Sequence, residues 1–151
     1  MNHGITCTHR LVLPADTNHH DTLYAGSLLR MALEAAYVTA FRTIGDGANF
    51  LLRRVLSVEC YRPVPVGTMV ELQGTVLHLT RAYLVVGVIG SPLPGEEGPW
   101  MDALMGFVQV DDAGQPAPLP IESIAAPAAD ERWQDLRERM EKLLRMRNSG
   151  Q

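Results

Sequence analysis

The chain has 151 residues, of which 46% are hydrophobic and 20% charged, and this composition predicts one compact domain with a real core. Its formal net charge of -4 argues against a nucleic-acid-binding surface, which normally carries a basic stripe or patch. Two cysteines, Cys7 and Cys60, are too few and too far apart for a disulfide framework or a recognisable zinc site, so we expect both to be buried thiols.

The N-terminal sequence lacks the basic start and the apolar run of a signal peptide. No window of the chain approaches the roughly 18 apolar residues of a membrane span. We therefore expect a cytoplasmic protein without a membrane segment.

The first third of the chain predicts a strand, a polar loop and a long helix. Thr8 to Leu13 is a strand candidate that ends at Pro14, and Ala15 to Thr22 is rich in turn and cap residues. The helix is expected from about Ala25 to Ile44, and the Gly-Asp-Gly sequence at 45–47 ends it. Because nearly every side of this helix is apolar, other structure must wrap around it.

Four strands are predicted after the helix, at Leu51–Tyr61, Met69–Leu79, Ala82–Ile89 and Met101–Val110. The strand at Met69–Leu79 alternates between apolar and polar residues, so one of its sides should face solvent. The strand at Ala82–Ile89 is more uniformly apolar, as expected for a central strand covered on both faces. Gly90–Pro99, with three prolines and three glycines, is predicted to be a loop.

One helix followed by a run of strands favours an α+β fold in which an antiparallel sheet curls around the helix. We expect this domain to span residues 1–120, followed over 121–151 by the rest of a Pro- and Ala-rich linker and a C-terminal helix. That helix, predicted at Asp130–Asn148, is amphipathic. Its apolar stripe consists of Trp133, Leu136, Met140, Leu143 and Leu144. We expect it to dock on its own domain or on a sister subunit.

Candidate chemistry concentrates in Asp16–Tyr37, where a polar loop runs into the long helix. The helix N-terminus points backbone N–H groups into a partly dry place, which suits a polarised carbonyl or an oxyanion. Asn18 is either a turn former or a site residue. His19 and His20 have no third ligand at a recognised spacing, so no metal site is predicted.

Four blocks of the sequence resemble hotdog-fold acyl-CoA thioesterases, the acyl-CoA hydrolase group of the 4-hydroxybenzoyl-CoA thioesterase superfamily. In chain order they are LPADTNHHDTLYAG, EAAY, YRPVPVGTMVELQGTVLHLTRAYLVVGV and MDALMGFVQVDDAGQPAPLP, and together they cover about Leu11 to Pro120. The resemblance implies a hotdog fold, edge-to-edge pairing into a homodimer, assembly to a dimer of dimers or higher, and an active site between subunits. It also implies an acyl-CoA or acyl-carrier-protein substrate and no cofactor besides the coenzyme A of that substrate.

By this resemblance, Asn18 matches the loop asparagine that binds the thioester or the attacking water. Gly26 matches the glycine whose backbone N–H faces the thioester oxygen. The usual catalytic acid of the family stands seven residues after this glycine, where this chain has Leu33. Direct attack by water then needs a substitute base, for which Glu34 and Asp21 are the candidates. The alternative is a hotdog protein that binds acyl thioesters, or only partner subunits, without hydrolysis.

Other interpretations of these charged residues stay open. Glu34 lies four residues after Arg30, so an ion pair along the helix accounts for it, as does a structural role in a subunit interface. Asp21 suits an acid at the helix start that caps backbone N–H groups. Arg62 and Arg81, at strand ends, are either solvated arginines or contacts for the phosphates of coenzyme A.

Overall fold

The computed structural model describes residues 4–94, 97–120 and 130–149. In chain order they form β1 (Thr6–Leu11), a 3-10 turn (Pro14–Asp16), α1 (Ala25–Ile44), β2 (Phe50–Cys60), β3 (Met69–Leu79), β4 (Tyr83–Pro92), β5 (Met101–Gln109) and α2 (Glu131–Ser149). The predicted strands and helices are all present, with small shifts at their ends. β4 continues to Pro92, so part of the predicted loop is strand, and residues 95–96 of that loop and 121–129 of the linker lie outside the described residues.

The five strands form one antiparallel sheet in the order β1-β3-β4-β5-β2, with β1 and β2 at its edges. β2 pairs with β5 through two register shifts, which bend this edge of the sheet. The sheet wraps α1, and this is the predicted α+β architecture. No helix within the described ranges is long and apolar enough to cross a membrane.

The inner face of the sheet is close to α1 because small residues line the contact. Four buried alanines of α1 face the sheet side of the core: Ala32, Ala35, Ala36 and Ala40. Thr39 lies over Gly74 of β3, and a side chain at position 74 would overlap the Thr39 hydroxyl. That hydroxyl donates to the Ala35 carbonyl at 2.7 Å, so this buried polar group is satisfied.

The outer face of the sheet is covered by α2, which therefore docks on its own domain. Its buried side chains pack against apolar residues of β3, β4 and β5, and the cluster consists of Trp133, Leu136, Met140, Leu77, Val85, Ile89 and Leu104. Thr75 is also buried. The prediction that one side of β3 faces solvent is thus wrong for the second half of the strand, because the alternation of polar and apolar residues does not reveal a second helix.

Part of α1 and of the β2 edge stays open in the single chain. Seven large apolar side chains there are 40–53% exposed: Leu29, Tyr37, Val38, Phe41, Leu51, Leu52 and Val55. Exposed apolar side chains in this number on one helix and one edge strand favour an interaction surface. The sheet thus wraps one side of the helix, and the other side is available to a second chain.

Candidate active site

The loop before α1 is held in place by the segment that follows β2. The Leu23 N–H donates to the Val64 carbonyl at 2.8 Å, and the Val66 N–H donates to the Asp21 carbonyl at 2.9 Å. These backbone bonds place the polar loop beside the first turn of α1.

Asn18 presents a hydrogen-bond donor to its surroundings. Its Oδ1 accepts from the His20 N–H at 2.9 Å and from the N–H and hydroxyl of Thr22 at 3.3 and 3.2 Å. Because backbone N–H groups can only donate, the atom that they meet is the amide oxygen, and this fixes the orientation of the side chain. Among the described residues Nδ2 has no hydrogen-bond acceptor, so it remains available to a ligand.

The N-terminus of α1 has no side-chain cap in the described part of the chain. Tyr24 is the N-cap residue, and the first bond within the helix runs from the Leu28 N–H to the Tyr24 carbonyl at 2.9 Å. The N–H groups of Ala25, Gly26 and Ser27 therefore keep the partial positive charge of a helix start without a side-chain acceptor. The Tyr24 ring lies against Gly26, and a Cβ at that position would overlap the ring.

A cavity of about 490 Å³ is lined by Asn18 and by Ala25 at the start of α1, whereas the exposed Gly26 is not part of its lining. Its polar lining includes Asn18, Thr22 and Arg62, and its apolar lining includes Leu28, Val64 and Trp100. A concave, largely apolar space with a few polar groups is the usual form of a small-molecule site. The structure thus brings Asn18 and Arg62 together with the start of α1.

Glu34 and Asp21 do not line this cavity. The Glu34 carboxylate lies 2.9 Å from Nη1 of Arg10 in β1, so of the alternatives left open for Glu34 the ion pair with Arg30 is wrong. Arg30 instead lies 3.5 Å from the Asp16 carboxylate. Glu34 and Arg30 both pair with residues that lie outside the helix, and a rule based on helical spacing cannot predict such partners. The prediction that Asp21 caps α1 is also wrong, because Tyr24 occupies the cap position.

The two arginines proposed for coenzyme A lie in different surroundings. Arg62 lines the cavity, donates to the Gly98 carbonyl and lies 3.4 Å from the Glu97 carboxylate. Arg81 is exposed in the turn between β3 and β4, and its carbonyl accepts the Leu119 N–H at 2.7 Å. Arg62 is therefore the one of the pair that is placed to meet a ligand in this cavity.

The cysteine prediction is wrong, since Cys7 in β1 and Cys60 at the end of β2 are both exposed free thiols. Both belong to edge strands, where one flank of the chain is open. Partial burial of each sulfur raises the pKa of both thiols, so neither is an activated nucleophile. His19 and His20 stack with ring centroids 3.8 Å apart, and within the described ranges no three potential ligands cluster around a metal position.

A polar network that we did not predict joins the cavity wall to α2. The buried Asp102 of β5 accepts from the Tyr61 hydroxyl at 2.5 Å and from Nη1 of Arg139 at 2.6 Å. Burial, followed by the hydrogen bond to Asp102, raises the pKa of the Tyr61 phenol, and the same carboxylate raises the pKa of Arg139. A sequence signal exists, because Asp102 is the charged residue in the otherwise apolar strand Met101–Val108.

Comparison with known proteins places these features in a family. Residues 20–97 match the family model of the Thioesterase superfamily. No curated protein sequence matches the chain significantly.

Several solved structures share the fold. A hexameric acyl-CoA thioesterase superimposes with a TM-score of 0.79 and 29% identity, over 96% of this chain and 91% of that one. An acyl-CoA hydrolase from Staphylococcus aureus, in complex with butyryl coenzyme A, coenzyme A and coenzyme A disulfide, gives a TM-score of 0.82 and 23% identity, over 99% and 89%. An acyl-CoA hydrolase from Bacillus cereus gives 0.75 and 22%, over 97% and 86%.

These likenesses confirm the predicted hotdog fold, in which the sheet wraps one long helix. They support thioester hydrolysis in general as the chemistry of this architecture. The family model matches more than half of the length of this chain. The chain therefore belongs to the Thioesterase superfamily.

Proposed function

We propose that the protein is a cytoplasmic hydrolase of acyl-CoA or acyl-carrier-protein thioesters. The observation that carries this proposal is the set of donors that have no protein acceptor among the described residues, Asn18 Nδ2 and the first N–H groups of α1, beside one apolar cavity. The cavity suits the apolar arm of a thioester, and the donors suit its carbonyl oxygen. In this proposal the coenzyme A or carrier arm belongs to the substrate, and no further cofactor takes part.

The proposed reaction begins with direct attack by water. The water oxygen bonds to the thioester carbonyl carbon, and the electron pair of the carbonyl moves to its oxygen. The Gly26 N–H and Asn18 Nδ2 stabilise this oxyanion, and the charge at the helix start favours it further. When the oxyanion collapses, the C–S bond breaks, and the thiolate leaves and takes up a proton while a carboxylic acid is formed.

The proton of the attacking water needs an acceptor, and the described lining of the cavity contains no carboxylate. In the Staphylococcus aureus hydrolase, alanine variants were made of an asparagine and of an aspartate fifteen residues after it. The residue fifteen positions after Asn18 in this chain is Leu33. We therefore assign the substitute base to Glu34 or Asp21 acting across a subunit interface, and Glu34 would first have to release Arg10.

A second copy of the chain is the proposed partner. The open apolar face of α1 and the unpaired edge of β2 give a second subunit both a sheet edge and a helix surface to bind. The hexameric acyl-CoA thioesterase and the hexameric thioesterase from Yersinia pestis show that this fold assembles to that size. We propose a homodimer through β2 and α1 that assembles further.

A non-hydrolytic binding protein is the second candidate. Two observations favour it, the leucine at position 33 and the engagement of Glu34 by Arg10 at 2.9 Å. While Arg10 holds the Glu34 carboxylate outside the cavity lining, this carboxylate does not meet a water molecule in the cavity. The donors of the cavity would then orient a thioester without cleaving it.

One experiment separates the two functions. The full chain is incubated with short, long and aromatic acyl-CoA compounds while free thiol is measured, and a non-hydrolysable thioether analogue is titrated in a calorimeter. Thiol release above background supports the hydrolase. Binding of the analogue without turnover supports the binding protein, and the absence of both excludes an acyl-CoA function.

A further inference from the structure

Tyr61 lies where the cavity meets the outer face of the sheet. It follows the last residue of β2, and its N–H donates to the Trp100 carbonyl at 2.8 Å. Tyr61 is part of the cavity lining and is 52% exposed in the single chain. An aromatic ring this exposed is free to change rotamer unless another group holds it.

The Tyr61 hydroxyl is held by two charged partners. It donates to Asp102 Oδ2 at 2.5 Å, and Nη2 of Arg139 donates to the hydroxyl oxygen at 3.2 Å. Asp102 is 8% exposed, and both of its oxygens also accept from Arg139, at 2.6 and 3.3 Å. Hydrogen bonds to charged groups are stronger than neutral ones, so the ring has one favoured position.

Arg139 in turn is fixed because α2 is anchored on the sheet. Trp133, Leu136 and Met140 of this helix are buried at 1–2% exposure. Nη1 of Arg139 also donates to Ser57 Oγ in β2 at 3.1 Å. The chain of contacts from α2 through Arg139 and Asp102 to Tyr61 therefore consists of packed or bonded groups at each step.

We infer that Tyr61 is a substrate-binding residue of the acyl-thioester cavity, with Asp102 and Arg139 as positioning residues that hold its ring from α2. This inference rests on the proposed function. The apolar arm of the thioester packs against a wall that is already ordered, so binding does not have to immobilise the ring. α2 is then part of the binding site although it lies on the opposite face of the sheet.

Tyr61→Phe is the main test, because it keeps the ring and leaves the pair of Asp102 and Arg139 intact. Without its hydroxyl the ring regains rotamer freedom, and ordering it again on binding should raise the Kd of the thioether analogue by about three- to tenfold. KM for the acyl-CoA substrate should rise by the same factor. The kcat should stay within about twofold, since no group that stabilises the oxyanion is changed.

Arg139→Met should shift the Kd in the same direction through Tyr61. The double variant should bind no more weakly than the weaker single variant, because both changes release the same ring. Arg132→Met is the matched control, since Arg132 is also an arginine of α2 but bonds to Asp130. It should leave Kd and KM unchanged, and circular dichroism confirms that each variant is folded.

The outcomes distinguish this inference from the proposed function. Wild-type protein that binds the analogue but releases no thiol overturns hydrolysis, and the Kd values of the variants still decide the role of Tyr61. Wild-type protein that neither binds nor hydrolyses overturns both. An unchanged Kd in Tyr61→Phe, or fully additive effects in the double variant, would overturn the inference even in an active enzyme.

Discussion

At the α1 side of the cavity, Asn18 Nδ2 and the Gly26 N–H have no protein acceptor among the described residues. At the α2 side, the Tyr61 hydroxyl, the Asp102 carboxylate and the Arg139 guanidinium all bond to one another. Donors that no protein group accepts can bond to water in the free protein and can turn to a ligand when one binds. A closed polar network adds order and leaves nothing for a ligand. In the proposed function, the α1 side therefore binds the reacting carbonyl group, and the α2 side holds the cavity wall in one position.

Asn18→Asp should have the largest effect of these substitutions, because it changes a donor on the α1 side of the cavity. The substitution keeps an acceptor for the His20 and Thr22 donors, so the loop should remain in place, but it exchanges the Nδ2 donor for a second oxygen. A negative oxygen facing the oxyanion should lower kcat by at least about 100-fold. Thermal unfolding provides the control, since an unchanged Tm with full activity would show that Asn18 is only a turn residue.

Loss of the Arg139 side chain should have the next largest effect, and on stability. Arg139→Met leaves the buried Asp102 without its cation, and the free energy of unfolding should fall by about 2–3 kcal/mol. Urea denaturation measures this value. Arg132→Met removes an exposed pair and should cost less than about 0.5 kcal/mol, and equal losses in the two variants would contradict the assignment.

His78 of β3, on the α2 side, should make the free energy of unfolding modestly dependent on pH. Burial lowers the pKa of this imidazole from its ordinary value of 6.5, although the Glu141 carboxylate of α2 opposes the shift. The unfolded chain therefore binds a proton near pH 6.5 before the folded chain does, and stability falls as the pH drops through that region. In His78→Gln this part of the pH dependence should disappear. If the free energy of unfolding, measured with urea, changes equally between pH 8 and pH 5 in the wild-type protein and in the variant, His78 does not cause this pH dependence.

Asp21→Gly should have the smallest effect and sharpens the α1 side. Asp21 has a φ of 60°, a left-handed conformation that glycine adopts without strain. The variant should be more stable by about 0.5 kcal/mol in urea denaturation. Asp46→Gly is the control, because Asp46 does not have a positive φ and gains nothing. Hydrolysis should be unchanged unless Asp21 is the base, in which case kcat falls.

Local pattern was sufficient for most of the fold. The helix bounds Ala25–Ile44 and the strand bounds Met69–Leu79 follow from apolar periodicity and from the glycines beside them, Gly45 after the helix and Gly67 before the strand. The strand order could not be predicted, because pairing joins residues far apart in the chain. The packing of α2 on β3 was missed for the same reason, because the local sequence around Leu77 does not indicate whether a helix or solvent lies against this residue.

The site was predictable where it depends on a short segment. Asn18 and Ala25 both line the cavity, and only six residues separate them, so a short segment of sequence is enough to place the loop beside the start of α1. The ion pair of Glu34 could not be predicted, because its partner Arg10 is 24 residues away. Arg139 reaches Asp102 across 37 residues, and no spacing rule connects positions so distant.

The close contact between Thr39 and Gly74 fixes α1 against the sheet at one point, so a small tilt of the helix there displaces its distant N-terminus. Thr39 is pinned at this point, and Gly26 lies thirteen residues away, about 20 Å along the helix axis. A tilt of about 3° at this fulcrum swings the Gly26 amide by about 1 Å. Displacements of that size at reacting groups cost on the order of 100-fold in rate. If the proposed function is correct, the glycine at position 74 therefore helps to set the position of the Gly26 amide, which lies several turns away along α1.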